Sequence, residues 1–126
     1  MKISLDKKDK YSILKLEEDN LNSVIAPDVK SEFVFLRNEG VQHLIFDMED
    51  VKYVDSSGLS AILTANRLWN DYGAFVLTNV THPAVVKLIE ISRLQTILTI
   101  IPTLQESIDY VMMEELQREL TRDDEE

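Results

Sequence analysis

The stretch "YVDSSGLSAIL", Tyr53 to Leu63, gathers the residues of this chain whose types could do chemistry: Asp55, Ser56, Ser57 and Gly58. Two hydroxyls beside a carboxylate, between a strand-like and a helix-like run, admit three roles: a nucleophile, a helix cap, or a phosphoryl acceptor. Serine-hydrolase chemistry needs a base and an orienting acid, and its strand-to-helix serine typically sits in G-x-S-x-G. Here the glycine two residues before the serine is absent. The two histidines offer little as bases. His43 lies in a strand-like run and reads as a satisfied sheet-edge or buried imidazole, and His82 precedes Pro83 and reads as a helix-entry residue. Their separation does not fit H-E-x-x-H, and no other metal-ligand spacing occurs. Three glycines, Gly40, Gly58 and Gly73, do not make a phosphate-cradling loop. The sequence therefore predicts no catalytic residue, no metal and no cofactor, with most carboxylates on solvated helix faces.

The strand–turn–helix position itself remains. The first N–H groups of a helix lack intrahelical partners, and Asp55, Ser56 or Ser57 can cap them with a side-chain oxygen. Capping explains an aspartate and one serine without calling for a second serine followed by glycine. The same free N–H groups and the positive end of the helix dipole can host a phosphate. That modification would place about −1.5 to −2 charges beside Asp55. Lys52 precedes the turn and Arg67 follows nearly three helical turns later, so no cation within the first turn clamps such a group. The charge is then better placed to repel a partner than to order the local chain. At about 100° per residue, Leu59, Ile62, Leu63 and Trp69 project one way, with Asn66 and Asn70 near that side. Ser57, Ala61, Thr64 and Leu68 project the other way. This second stripe is either covered by a neighbouring element or is a docking surface with the acceptor at its end.

The elements that would position these residues alternate. "YSILKL" (Tyr11 to Leu16) reads as a strand with one mostly apolar face. "APDVKSEFVFLRNEG" reads as a helix, with Pro27 in its first turn, Val29, Phe33 and Leu36 at helical spacing, and Gly40 as its stop. "HLIFDM" is a short apolar run typical of a central strand, and "VKYV" extends or resumes it. After the helix that starts at the serines, "YGAFVLTNV" predicts a strand and "HPAVVKLIEIS" a helix with Val86, Ile89 and Glu90 on one face. "TILTII" predicts a strand ended by Pro102. "TLQESIDYVMMEELQRELTRDDEE" predicts a final helix, with Leu104, Ile108, Val111 or Met112, and Leu116 at helical spacing and a solvated, frayed end. Alternating strands and helices imply an α/β layer structure with parallel pairings.

Composition bounds the rest. The 126 residues, 44% hydrophobic and 29% charged, suit one domain with a core. A formal charge of −10 and a pI near 4.6 argue against nucleic acid and against acidic membrane surfaces, which are bound chiefly through Lys and Arg. The absence of cysteine excludes disulfides, thiolate nucleophiles and zinc–thiolate sites, and fits a reducing cytoplasm. "MKISLDKKDK" lacks the apolar core of a secretory signal, and no apolar run reaches the roughly 20 residues of a membrane span. The expectation is a soluble cytoplasmic protein.

"VKYVDSSGLSAILTANRLW" resembles the signature of STAS domains, specifically the stand-alone bacterial anti-sigma-factor antagonists. The resemblance extends through "HLIFDMEDVKYVDSSG", "GAFVLTNVTHPAVVKLIEISRL" and "TIIPTLQESIDYV", in that order. It assigns residues 1–111 to a STAS domain with its core at about 10–111, and residues 112–126 to a continuation of the last helix with an acidic tail. It implies an α/β fold, a mixed and mostly parallel sheet with helices mainly on one face, and a non-enzymatic regulator. Unphosphorylated, such a protein binds an anti-sigma factor that is itself a serine kinase, and so frees a sigma factor. Phosphorylation releases that partner until a serine phosphatase restores the unmodified form. The acceptor by resemblance is Ser57, with Asp55, Ser56 and Gly58 forming its loop. Where the family often has G-x-L-D, this chain has Asn20 and Asn22 within "DNLNS", a loop that often contributes to the partner surface; the helical projection adds Ala61, Thr64 and Leu68 as partner-binding candidates. The rival reading is a STAS scaffold subunit of another signalling or lipid-transport complex, with Ser57 as a simple cap.

Overall fold

Three short apolar strands lie side by side, and the register of their side chains organises the molecule. The computed structural model describes the backbone of residues 1–125 and the side chains of residues 1–122. The main sheet contains β1 (Ile3–Lys7), β2 (Ser12–Leu16), β4 (Leu44–Asp47), β6 (Phe75–Thr78) and β7 (Thr99–Ile101), in the order β1-β2-β4-β6-β7. β1 runs antiparallel to β2, and the other pairings are parallel. Ile13, Ile45 and Val76 stand in register on one face, and Leu14, Phe46 and Leu77 on the other. Side chains alternate faces along a strand, so each row belongs to a separate core, as expected of a sheet covered on both sides.

The connections decide which helix covers which face. Helices α1 (Ala26–Asn38), α2 (Ser56–Trp69) and α3 (Pro83–Ser92) each link one strand of the series β2, β4, β6, β7 to the next. All three steps run in one direction across the sheet. Right-handed crossovers then place the three helices on a single face. There they bury Leu14, Phe46 and Leu77 with Phe33, Leu36, Ile62 and Trp69. Phe33 meets Phe46 and Phe75 edge-on, at centroid distances of 5.1 and 5.7 Å. The last helix, α4 (Leu104–Glu125), crosses to the other face and closes a smaller core of Ile13, Ile45, Val76 and Val111. The mixed, mostly parallel sheet with helices mainly on one face agrees with the sequence expectation.

Several details differ from that expectation. β1 was not predicted, since it is an edge strand with only Ile3 partly covered. "VKYV" does not continue β4. Its β5 (Tyr53–Val54) pairs in parallel with β3 (Asn20–Leu21) in a separate two-stranded ribbon. "TILTII" is strand only from Thr99, because a 3₁₀ turn at Leu94–Thr96 follows Arg93 in the left-handed region, φ 55°. α3 buries Val85 and Ile89, whereas Glu90 is exposed. In α4 the buried series runs Val111, then Glu115, and Leu116 and Met112 face outward. The helix continues to Glu125, and the acidic side chains of its expected frayed end lie outside the described residues.

Candidate functional site

Asp55 begins the site as a peptide in extended conformation, φ −98° and ψ −174°, at the N-cap of α2. Its Oδ1 accepts from the Gly58 N–H at 2.9 Å, and its backbone oxygen from the Leu59 N–H at 2.9 Å. The cap anticipated from the sequence is therefore supplied by the aspartate, leaving both serine hydroxyls for other roles. Its Oδ2 accepts from the Ser23 N–H at 3.2 Å, which fastens the loop before α1 to the start of α2. Asn22 shapes the same loop. Its Oδ1 accepts from the Val24 N–H at 3.0 Å, and its backbone oxygen from the Ala26 N–H at 2.8 Å.

Gly58 explains why the second serine is followed by glycine. A Cβ there would collide with the carbonyl oxygen of Leu21 and crowd its side chain. The first turn of α2 is thus pressed onto β3, with Ser57 half-buried and Ser56 exposed beside it. Ser57, Ser56 and Ser60 share a cleft of about 280 Å³ with Ser23, Ala26, Pro27 and Lys30 of the α1 entrance. The structure therefore brings a cation next to the acceptor position, which the sequence reading, confined to the first turn of α2, did not find. The signal was present in the topology. Two successive crossover helices on one face start at the same sheet edge, so their first turns are neighbours. Two large apolar side chains on neighbouring segments were also missed: Val24, 80% exposed, follows Ser23 in the loop, and Tyr53, 59% exposed, precedes the Asp55 turn.

The stripe opposite the expected core face of α2 is largely covered by a neighbouring element, the first of its two alternatives. Ala61 is fully buried, and Leu68 is half-buried against the main core. The cause is α1, which lies alongside α2 in the same direction. Pro27 and Lys30 adjoin Ser57 and Ser60 at one end, and the Arg37 Nε donates to the Leu68 carbonyl at 3.0 Å at the other. Ala61 and Ala65, small and buried on α2, leave room for a neighbouring helix, while Gly58 makes room for β3. Thr64 is half-buried and turns its hydroxyl back to the Ser60 carbonyl at 2.9 Å. Asn20 is exposed on β3, paired with Tyr53 of β5, and Asn22 is half-buried in the loop whose Ser23 N–H is fastened to the Asp55 carboxylate.

The histidines are engaged elsewhere. His82 is the N-cap residue of α3, with its Nε2 2.9 Å from the Glu49 carbonyl oxygen. His43 is buried, and its Nδ1 accepts from the Ala74 N–H at 2.9 Å. That bond leaves the ring proton on Nε2, which donates to Glu115 Oε1 at 2.9 Å. Glu115 is buried as well, and Arg118 donates to both of its oxygens at 2.9 Å. The bidentate Arg118 pair, with help from His43, outweighs burial and holds the Glu115 carboxyl at about 2, against an ordinary 4.5. Asn66 and Asn70 border the 730 Å³ cleft beside this cluster, away from Ser57. No group of acidic, histidine or cysteine side chains among the described residues has metal-binding geometry, and no described helix is long and apolar enough to cross a membrane.

With this geometry in place, known proteins can be compared. The family model described as "STAS domain" matches residues 2–107. A search of curated protein sequences finds no significant match. Among solved structures, an anti-sigma factor antagonist from Mycobacterium paratuberculosis superposes with a TM-score of 0.80 at 18% identity, covering 88% of this chain and 93% of that one. The anti-sigma factor antagonist SpoIIAA in its unphosphorylated form gives 0.73 at 22% identity, over 88% and 96% of the two chains. The phosphorylated form of SpoIIAA, a Bacillus cell fate determinant, gives 0.66 at 22% identity, over 87% and 99%. At these identities the structures establish a shared fold, and the match of the family model over most of the sequence establishes kinship: the chain belongs to the STAS domain family.

Proposed function

We propose that this protein is an anti-sigma factor antagonist that switches partners through phosphorylation of Ser57. The observation that carries the reading is the placement of Ser57 in a STAS chain. It sits half-buried on the first turn of α2, spared from capping duty by Asp55, with the exposed Val24 next to Ser23 of the same cleft and the exposed Tyr53 on the strand that leads into the Asp55 turn. Similarity to a protein solved in both unphosphorylated and phosphorylated forms supports the same role. In this reading the unmodified protein binds an anti-sigma factor with serine kinase activity and frees a sigma factor. The kinase transfers the γ-phosphoryl of ATP to Ser57 Oγ, with ADP leaving and the hydroxyl proton released. A serine phosphatase hydrolyses the ester and resets the switch. The protein itself is a cytoplasmic binding module, not an enzyme, and uses no cofactor. Asp55, Ser56 and Gly58 present the acceptor, while Asn20, Asn22, Val24 and Tyr53 contact the partner. Ala61 and Leu68, covered by α1, take no part.

Phosphate at Ser57 adds about −1.5 to −2 charges to the partner-facing edge of a chain whose formal charge is already −10. A partner docked over Val24 and Tyr53 would have to desolvate that charge, which weakens binding. Phosphopeptide mapping of the protein isolated from its own cells tests the assignment. The expected result is phosphate on Ser57. Phosphate confined to Ser56 or Ser60, or absent under every growth condition, would contradict it.

A further inference from the structure

We propose that Lys30 is the internal counter-ion of the Ser57 phosphate, so that the modified side chain is held in the cleft between α1 and α2. This rests on the reading of Ser57 as the phosphoryl acceptor and concerns what the molecule does with the group once it is there. Four serines, an alanine, a proline and Lys30 line the cleft around Ser57. Among the described residues its only charged lining group is therefore an ammonium, although the chain carries 23 carboxylate side chains against 13 Lys and Arg. Asp55, the nearest carboxylate along α2, already accepts from the Gly58 and Ser23 N–H groups, and this holds it at the cap. Lys30 is half-buried and makes no ion pair among the described residues. A dianion on Ser57 meets a cation with no competing carboxylate in the cleft, and it has the Ser23, Ser56 and Ser60 hydroxyls within the same enclosure as donors. Charge-assisted pairing of this kind is stronger than a neutral hydrogen bond.

The consequence is that phosphorylation ties α1 to α2 as well as adding charge. The modified state is an ordered one, with the phosphate drawn toward the α1 entrance, beside Val24. The sequence offers no cation within the first turn of α2, and in this proposal the counter-ion comes from α1 instead.

The test installs phosphoserine at position 57 during translation, so that no kinase is needed, and follows the ³¹P chemical shift against pH. Two unit charges about 4 Å apart in water interact by about 1 kcal/mol. At 1.36 kcal/mol per pKa unit, the second phosphate pKa in the unsubstituted protein should lie about half a unit or more below that in Lys30→Gln. Lys30→Arg should restore the lower value, and 1 M salt should shrink the difference. Asp28 and Asp55 oppose the shift but are the same in every variant. Lys30→Met, which keeps much of the apolar stem, serves as a second charge-free variant should Lys30→Gln fold poorly. Equal pKa values with and without the Lys30 charge would overturn the proposal. Phosphate never found on Ser57 in cells would sink the switch while leaving this pairing measurable. A functioning switch with no Lys30 effect on the titration would sink the pairing alone.

Discussion

At the scale of single residues, the site depends on a division of labour among four neighbours. Asp55 caps the helix, Gly58 permits contact with β3, and the serines are left outside the capping arrangement. The identity of these residues was legible in the sequence, because an aspartate two places before a serine at a strand-to-helix turn has only a few physical uses. What Gly58 is for was not legible, since its reason is the Leu21 carbonyl, 37 positions earlier in the chain. Gly58→Ala forces a methyl into backbone that cannot yield cheaply, and small-to-large changes of this kind cost about 1–3 kcal/mol. Urea denaturation of Gly58→Ala should show a loss in that range, with the first turn of α2 displaced from β3. Stability equal to the parent protein would mean that the close approach does not constrain the loop.

At the scale of elements, periodicity finds the helices and most of their core residues: Val29, Phe33 and Leu36 of α1 and Ile62 and Trp69 of α2 are buried as expected. What it does not mark is the burial of the small residues of α2. Gly58, Ala61 and Ala65 are buried too, because small side chains let a neighbouring segment lie close, β3 in the case of Gly58. For α4, Leu116 was expected inward, but a helix advancing 3.6 residues per turn brings Glu115 to the buried position after Val111. A buried glutamate has no signature in a one-dimensional pattern. Its partner His43 lies 72 residues away. This cluster fastens the outer half of α4 and should be visible in acid. Glu115 has a folded-state pKa of about 2 against an ordinary 4.5. It therefore adds stability above about pH 4.5, and that contribution is lost as pH falls from there toward 2. Glu115→Gln should lower stability at pH 7 by about 1–3 kcal/mol and narrow the gap between stabilities measured at pH 7 and pH 3. An unchanged gap would show that the carboxylate does not anchor the helix.

At the scale of the whole molecule, the order of strands does what no single motif can. Alternating strand and helix signals sufficed to predict an α/β sheet, and the quoted segments in sequence sufficed for the family resemblance. The edge strand β1 and the pairing of β3 with β5 escaped, the first because it is mostly solvated and the second because a two-residue strand such as β3 carries too little pattern. The stepwise order β2-β4-β6-β7 then places the entrances of α1 and α2 at one edge, which joins Ser57 and Lys30 in one cleft, with the exposed Val24 and Tyr53 on the segments that lead into the two helices. The central claim is that this edge binds a partner only while Ser57 is unmodified. Its most direct test is a quantitative pull-down from lysate of the native cell, with the parent protein, Ser57→Ala and Ser57→Asp as baits. A kinase-fold protein should be retained by the parent and by Ser57→Ala, with Ser57→Ala no longer phosphorylated by it, and lost with Ser57→Asp. Equal retention of every partner by all three baits would contradict the switch and favour a scaffold role for the same fold.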